Sequence, residues 1–145
     1  MVQGKINARG RAQMIFATKG LFIVWLVSAL SGTTHGRHTL ATIGNDQLEV
    51  AYIAFEAAVT SNVDPVKFVQ MVDLESSFLA HAKGDWRSET GEYMAQGACQ
   101  YWLSTWKPYA KKYGIDGSRL DPRSCLPLMA QMIDDGLWYH WKNTG

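Results

Sequence analysis

Met71-Val72-Asp73-Leu74-Glu75-Ser76-Ser77-Phe78 closes an apolar helical run that also holds Val66, Phe68 and Val69. A carboxylate at Glu75 is expected to be partly desolvated there, and the negative end of the helix dipole adds to that. Both effects raise its pKa towards the range of a proton donor near neutral pH. Ser76 and Ser77 break the apolar pattern at once and supply hydroxyls that can orient the carboxyl group. Asp64-Pro65 begins this helix, with Asp as its cap and Pro in the first turn, where a missing N–H costs nothing. The expectation is a general acid at a helix end beside a cleft.

Upstream, Leu48, Tyr52, Phe55 and Val59 recur at helical spacing behind Asn45 and Asp46, predicting an amphipathic helix that ends near Ser61-Asn62. Downstream, residues 80–97 lose periodicity around Gly84-Asp85-Trp86 and Ser88-Glu89-Thr90-Gly91-Glu92. That predicts a long irregular loop, with room for a short β-ribbon, beside the acid. Ser104 is placed to cap a helix that Gly114 closes, and Asp121-Pro122 repeats the helix-start signal. Leu126, Met129, Ala130, Ile133 and Leu137 line one face of the last helix, although Pro127 is a reason to place its start later. The fold class expected is all-α: one small helical domain over residues 46–145.

The 145 residues suffice for one core, and 47% hydrophobic with 19% charged residues is a globular composition. The net charge of +1 hides an asymmetry. Residues 1–31 carry Lys5, Arg9, Arg11 and Lys19 without an acid, leaving 10 basic and 13 acidic residues beyond. A nucleic-acid binder keeps its positive charge on the folded part, so that class is disfavoured. Residues 1–31 read as a secretory signal: a basic stretch, the ten-residue apolar run Leu21–Leu30, and small residues at Ala29 and Ser31 before a cut at Gly32. A retained membrane anchor and a buried core helix are the alternatives. Residues 32–45 read as a flexible lead-in, with His35 and His38 solvated. Cys99 and Cys125 permit one disulfide in an exported domain, or two buried thiols. Their spacing matches no metal motif.

Glu75-Ser76-Ser77-Phe78, read with Gly97-Ala98-Cys99-Gln100-Tyr101 and Ser104-Thr105-Trp106, resembles the ordered motifs of the lysozyme superfamily. Within it, the soluble lytic transglycosylase and goose-type lysozyme pattern is the best match, over residues 46–142. The resemblance implies a lysozyme-like helical fold that cleaves the β-1,4 link between N-acetylmuramic acid and N-acetylglucosamine, with Glu75 as the catalytic acid. It further implies Ser76, Gln100 and Tyr101 as substrate-binding residues, no cofactor or metal, a monomer, peptidoglycan strands as the partner, and a place in the periplasm or cell envelope. Contact with a membrane would come only through an uncleaved N-terminal segment. A bacterial and a phage origin fit equally. The pattern's late Ala-Tyr-Asn triplet is missing, and Tyr139 is the nearest substitute. A hydrolase would need a second acid, for which Asp85, Glu89 and Glu92 are candidates; a cell-wall-binding module with an inactive site is a further alternative.

Overall fold

The computed structural model describes residues 18–144. In chain order these form α1 (Lys19–Ser31), α2 (Thr34–Thr42), α3 (Asn45–Thr60), α4 (Pro65–Ser76), β1 (Lys83–Arg87), β2 (Glu92–Gln96), β3 (Tyr101–Trp102), α5 (Leu103–Tyr113), α6 (Pro122–Asp134) and a 3₁₀ segment, Trp138–Thr144. The architecture is mainly helical, compatible with the expected class, and adds a small antiparallel sheet. Glu75 lies in the last turn of α4, and the stretch after it, read as an irregular loop with room for a short ribbon, is ordered as the β1–β2 hairpin.

Two helix starts follow the cap chemistry expected of them, whereas α5 starts behind Trp102 with no side-chain cap and with Ser104 inside the helix. Asp64 accepts from Val66 N at 2.9 Å and Asp121 accepts from Arg123 N at 2.9 Å, each just before a Pro in the first turn. Pro127 does not delay α6, which runs from Pro122. Its absent N–H leaves one carbonyl near the helix start without an intrahelical bond, a cost borne by the buried face of Leu126, Met129 and Ala130.

α3 is the hub. Ala51, Ala54, Ala57 and Ala58 are fully or almost fully buried. Their small side chains let α3 lie close to both α4 and α6. Phe68, Val69, Val72, Phe78, Leu126, Leu128 and Met129 fill the space between, each with essentially no exposure. Burial of a side chain of this kind contributes about 1.5–3 kcal/mol.

From Thr18 to Asn45 the chain packs with the rest of the fold. The run read as a signal or anchor is folded as α1, and Phe22, Leu26, Ala29 and Leu30 belong to the same core as α3 and α4. Phe22 meets Tyr52 edge-on at 5.0 Å between ring centroids, Trp25 meets Phe55 at 4.9 Å, and Gln70 Nε2 donates to Ala29 O at 2.8 Å. The basic stretch before Thr18 lies outside the described residues. The lead-in expected over residues 32–45 is largely helical: Thr33 caps α2 by accepting from Gly36 N at 2.9 Å. Gly36 is buried so close to the Leu30 carbonyl that a Cβ there would collide with it. Among the described residues, no helix is long and apolar enough to cross a membrane.

The sheet runs β1-β2-β3 in order, with Gly84 opposite Ala95, Trp86 opposite Tyr93, and Ala95 opposite Trp102. Period-two alternation puts Gly84, Trp86, Tyr93, Ala95 and Trp102 on one face.

Candidate active site

α4 ends in a strained turn. Ser77 (φ 51°) and Phe78 (φ 61°) are consecutive non-glycine residues in the left-handed region, an arrangement that persists only where the surroundings over-determine it. Three groups do so here. Phe78 is driven into the core with 1% exposure. Gln47 Nε2, from the first turn of α3, donates to Ser77 O at 2.8 Å. His35 Nε2, from α2, lies 3.0 Å from Asp73 O and 3.1 Å from Ser77 Oγ. The turn leads from half-buried Glu75 through a second turn at residues 79–82 into β1.

His35, Asp73 and Ser77 have the residue types of a nucleophilic triad but not its geometry. The Asp73 carbonyl can only accept, so His35 Nε2 carries the proton, and the same nitrogen is the one facing Ser77. It has no lone pair with which to activate the hydroxyl. The cluster is a clamp between α2 and the end of α4. Asp73 has no exposed surface; Oδ1 accepts from Thr39 Oγ1, and among the described residues Oδ2 has no hydrogen-bond partner. Burial raises the Asp73 pKa, partly opposed by the Thr39 bond and by nearby His35.

The direction of that change fixes a sign. A carboxyl whose folded pKa lies above its unfolded one contributes stability that is fully present below the unfolded pKa and lost as pH rises through the folded one. Asp73→Asn is therefore expected to gain in melting temperature relative to wild type as pH rises above the unfolded carboxyl's pKa of about 4. The gain is about 1.4 kcal/mol for every tenfold by which folding tightens the hold of the carboxyl on its proton. Paired thermal melts across that range measure it; a difference that stays constant with pH would mean that Asp73 does not titrate with folding.

The other wall of the Glu75 corner is the loop Gly97–Gln100. Gln100 adopts φ 55° and its Nε2 donates to Ala82 O at 3.0 Å and Gly97 O at 2.9 Å, tying the loop to the entry of β1. Its Oε1 lies against Gly84, where a Cβ would displace it. Gln100 thus holds backbone, where a sugar-binding amide was expected. Arg119 Nη1 braces the strands by donating to Met94 O at 2.9 Å and Tyr101 O at 2.8 Å. Cys99 sits near enough to Glu75 to feel its charge: burial first, then Cys125, then Glu75 hold the Cys99 thiol well above its usual pKa. The two cysteines are free thiols, buried, with Cys99 Sγ donating to Cys125 Sγ at 2.9 Å. Trp141 Nε1 closes the corner by donating to Cys99 O at 2.9 Å.

Three further residues expected at the substrate are elsewhere. Ser76 is buried and its hydroxyl donates back to Val72 O at 3.1 Å, the usual outlet for a helical Ser. Tyr101 is 2% exposed, packed edge-on between Trp106 at 5.2 Å and Trp141 at 5.4 Å, with its hydroxyl against Met132 Sδ at 3.3 Å. Tyr139 is exposed and hydrogen-bonds Tyr109 of α5, which raises its pKa; its ring lies on His140. Its neighbour Trp141 takes the inward position. Of the acids weighed as a second carboxyl, Asp85 pairs with Arg87 Nε at 3.3 Å, and Glu89 and Glu92 are exposed on the hairpin.

The exposed aromatic surface is on the sheet. Trp86 and Tyr93, 55% and 40% exposed, meet edge-on at 4.9 Å, and Arg87 lies 5.1 Å from the ring centre of Trp102. A separate cavity of about 570 Å³ lies between the start of α3, residues 78–82 and the start of α6, floored by Val50, Ile53 and Phe78; Glu75 is not among its lining residues. Among the described residues, no group of three or more His, Cys, Asp or Glu is placed to hold a metal.

Sequence reasoning missed His35, Thr39, Gln47, Asp73, Arg119 and Trp141. Two signals were present: an Asp inside an apolar helix face, and histidines and a threonine in a stretch too polar for a core helix. No family model, curated protein or solved structure matches this chain.

Proposed function

We propose that the chain is a peptidoglycan lytic transglycosylase of lysozyme-like fold in which Glu75 is the single acid and base. The observation that carries this reading is the setting of Glu75. It is half-buried in the last turn of α4, followed by a left-handed turn clamped from α2 and α3, and faced by the Gln100-braced loop. A carboxyl positioned this firmly at the junction of a helical body and an exposed hairpin is suited to proton transfer.

The reaction balances on one carboxyl. Glu75 donates its proton to the glycosidic oxygen as the bond from that oxygen to C1 of the muramic acid breaks. The carboxylate then takes the proton of the muramic acid 6-hydroxyl, whose oxygen bonds to C1 and closes a 1,6-anhydro ring. Glu75 ends protonated and no water is consumed. The buried thiols and Tyr101 take no part; they keep the corner dry. The reading requires the protein to meet peptidoglycan, in the cell envelope or in a phage particle, with α1 retained.

Trp86 and Tyr93 supply the flat apolar surface on which sugar rings stack, in the place first given to Tyr101. Trp86→Ala is expected to weaken binding to purified peptidoglycan about tenfold without lowering the melting temperature, since the ring is more than half exposed. Pull-down on insoluble peptidoglycan measures it, and unchanged binding would remove the hairpin from the substrate path. The function itself is tested by incubating the full chain with purified peptidoglycan and following the fall in turbidity with release of soluble muropeptides. Release is the expected result. Binding without release would assign the domain to wall attachment.

A further inference from the structure

We infer that α1 lies on an anionic lipid surface, using the face it turns away from the core. The helix is apolar on two sides. Phe22, Leu26, Ala29 and Leu30 point inward, whereas Leu21, Val24 and Val27, spaced three residues apart, form a stripe on the opposite face with exposures of 51%, 68% and 45%. Gly20, Ser28 and Ser31 are the exposed residues beside the stripe, so no charge interrupts it. A folded domain gains nothing from keeping three adjacent large aliphatics in water, and such a face marks a partner surface.

Charge identifies the partner. No acidic residue occurs before Asp46, while Lys5, Arg9, Arg11, Lys19 and Arg37 give residues 1–45 a charge of +5. Two of those cations mark the ends of the helix: Lys19 opens α1, and Arg37 Nη1 donates to Ser31 O at 2.9 Å at its end. An apolar strip inside a purely basic stretch matches the boundary between acyl chains and acidic headgroups. A second copy of the chain would bring the same positive charge to the same face and be repelled. Geometry decides how α1 sits. Thirteen residues rise about 20 Å, against about 30 Å of hydrocarbon, and its inner face is committed to the core, so the helix lies in the interface plane and does not span it. The inference is independent of the chemistry at Glu75.

Co-sedimentation of the full chain with vesicles tests it, comparing pure phosphatidylcholine with roughly three parts phosphatidylcholine to one of phosphatidylglycerol. Binding to the anionic vesicles, weakened about tenfold or more by raised salt, by Lys19→Glu with Arg37→Glu, and by Leu21→Ser with Val24→Ser and Val27→Ser, is the expected result. Light scattering of the same samples reads the oligomeric state, and thermal melts confirm that each variant is folded; Val24→Ser alone, at the most exposed position, serves if the triple variant is not. Absence of binding, binding that ignores lipid charge, or a dimer that the serine substitutions dissolve would each overturn the inference.

Discussion

Glu75→Gln is expected to reduce the release of muropeptides about a thousandfold or more, leaving the melting temperature and the binding of peptidoglycan near those of wild type. General acid catalysis by one group is worth about a hundredfold to ten-thousandfold, and here one carboxyl serves twice, as acid and then as base. The amide matches the carboxyl in shape and can still hydrogen-bond, so the loss falls on proton transfer. The surrounding clamp does not depend on the Glu75 charge: His35, Gln47 and Thr39 act on Ser77 and Asp73. Turnover and binding measured on the same preparations separate the cases. If Glu75→Gln lost binding as well as turnover, the residue would be holding substrate or fold; if it lost neither, the catalytic group would lie elsewhere.

Removing residues 1–31 is expected to abolish cooperative folding. The cut takes Phe22, Leu26, Ala29 and Leu30 out of the core and uncovers Tyr52, Phe55 and the flank of α4. Loss of one buried leucine costs about 2–5 kcal/mol, and a domain of this size holds about 5–15 kcal/mol in all. Two leucines and a phenylalanine therefore consume the margin. In the full chain, Leu30→Ala, at a site with no exposure, is expected to cost about 2–5 kcal/mol by itself. Thermal or denaturant unfolding of residues 32–145 beside the full chain decides the matter. A sharp transition near that of the full chain would make residues 1–31 a removable leader.

What could be read from the sequence divides along a physical line. The Asp-Pro helix starts and the end of α4 at the Glu75 motif are set by local chemistry, which a sequence displays; the hairpin after it was open between loop and ribbon, because its strands alternate too weakly to be read. α1 was ambiguous because a ten-residue apolar run suits a signal and a core helix alike; what separates them is the aromatic surface of α3 that receives it. α2 was hidden because Thr, Gly and His have little helix propensity, and its stability comes from the Thr33 cap and from His35 and Thr39 reaching Asp73. The site divides in the same way. Glu75 is marked by its neighbours along the chain, while Gln100 and Tyr101 took other partners through contacts made at long range and Ser76 turned back onto its own helix. A Tyr with 2% of its surface exposed cannot stack on a sugar, and a Gln that bonds two backbone carbonyls has no spare donor geometry for one.

The most direct test of the central claim is mass spectrometry of the soluble products released by the full chain from purified peptidoglycan. With Glu75 as the only acid and base, the muropeptides end in 1,6-anhydro-N-acetylmuramic acid, each lighter by one water than its hydrolysed counterpart and resistant to borohydride. Reducing ends in their place would mean that water attacks the glycosidic carbon and that a second carboxylate completes the site.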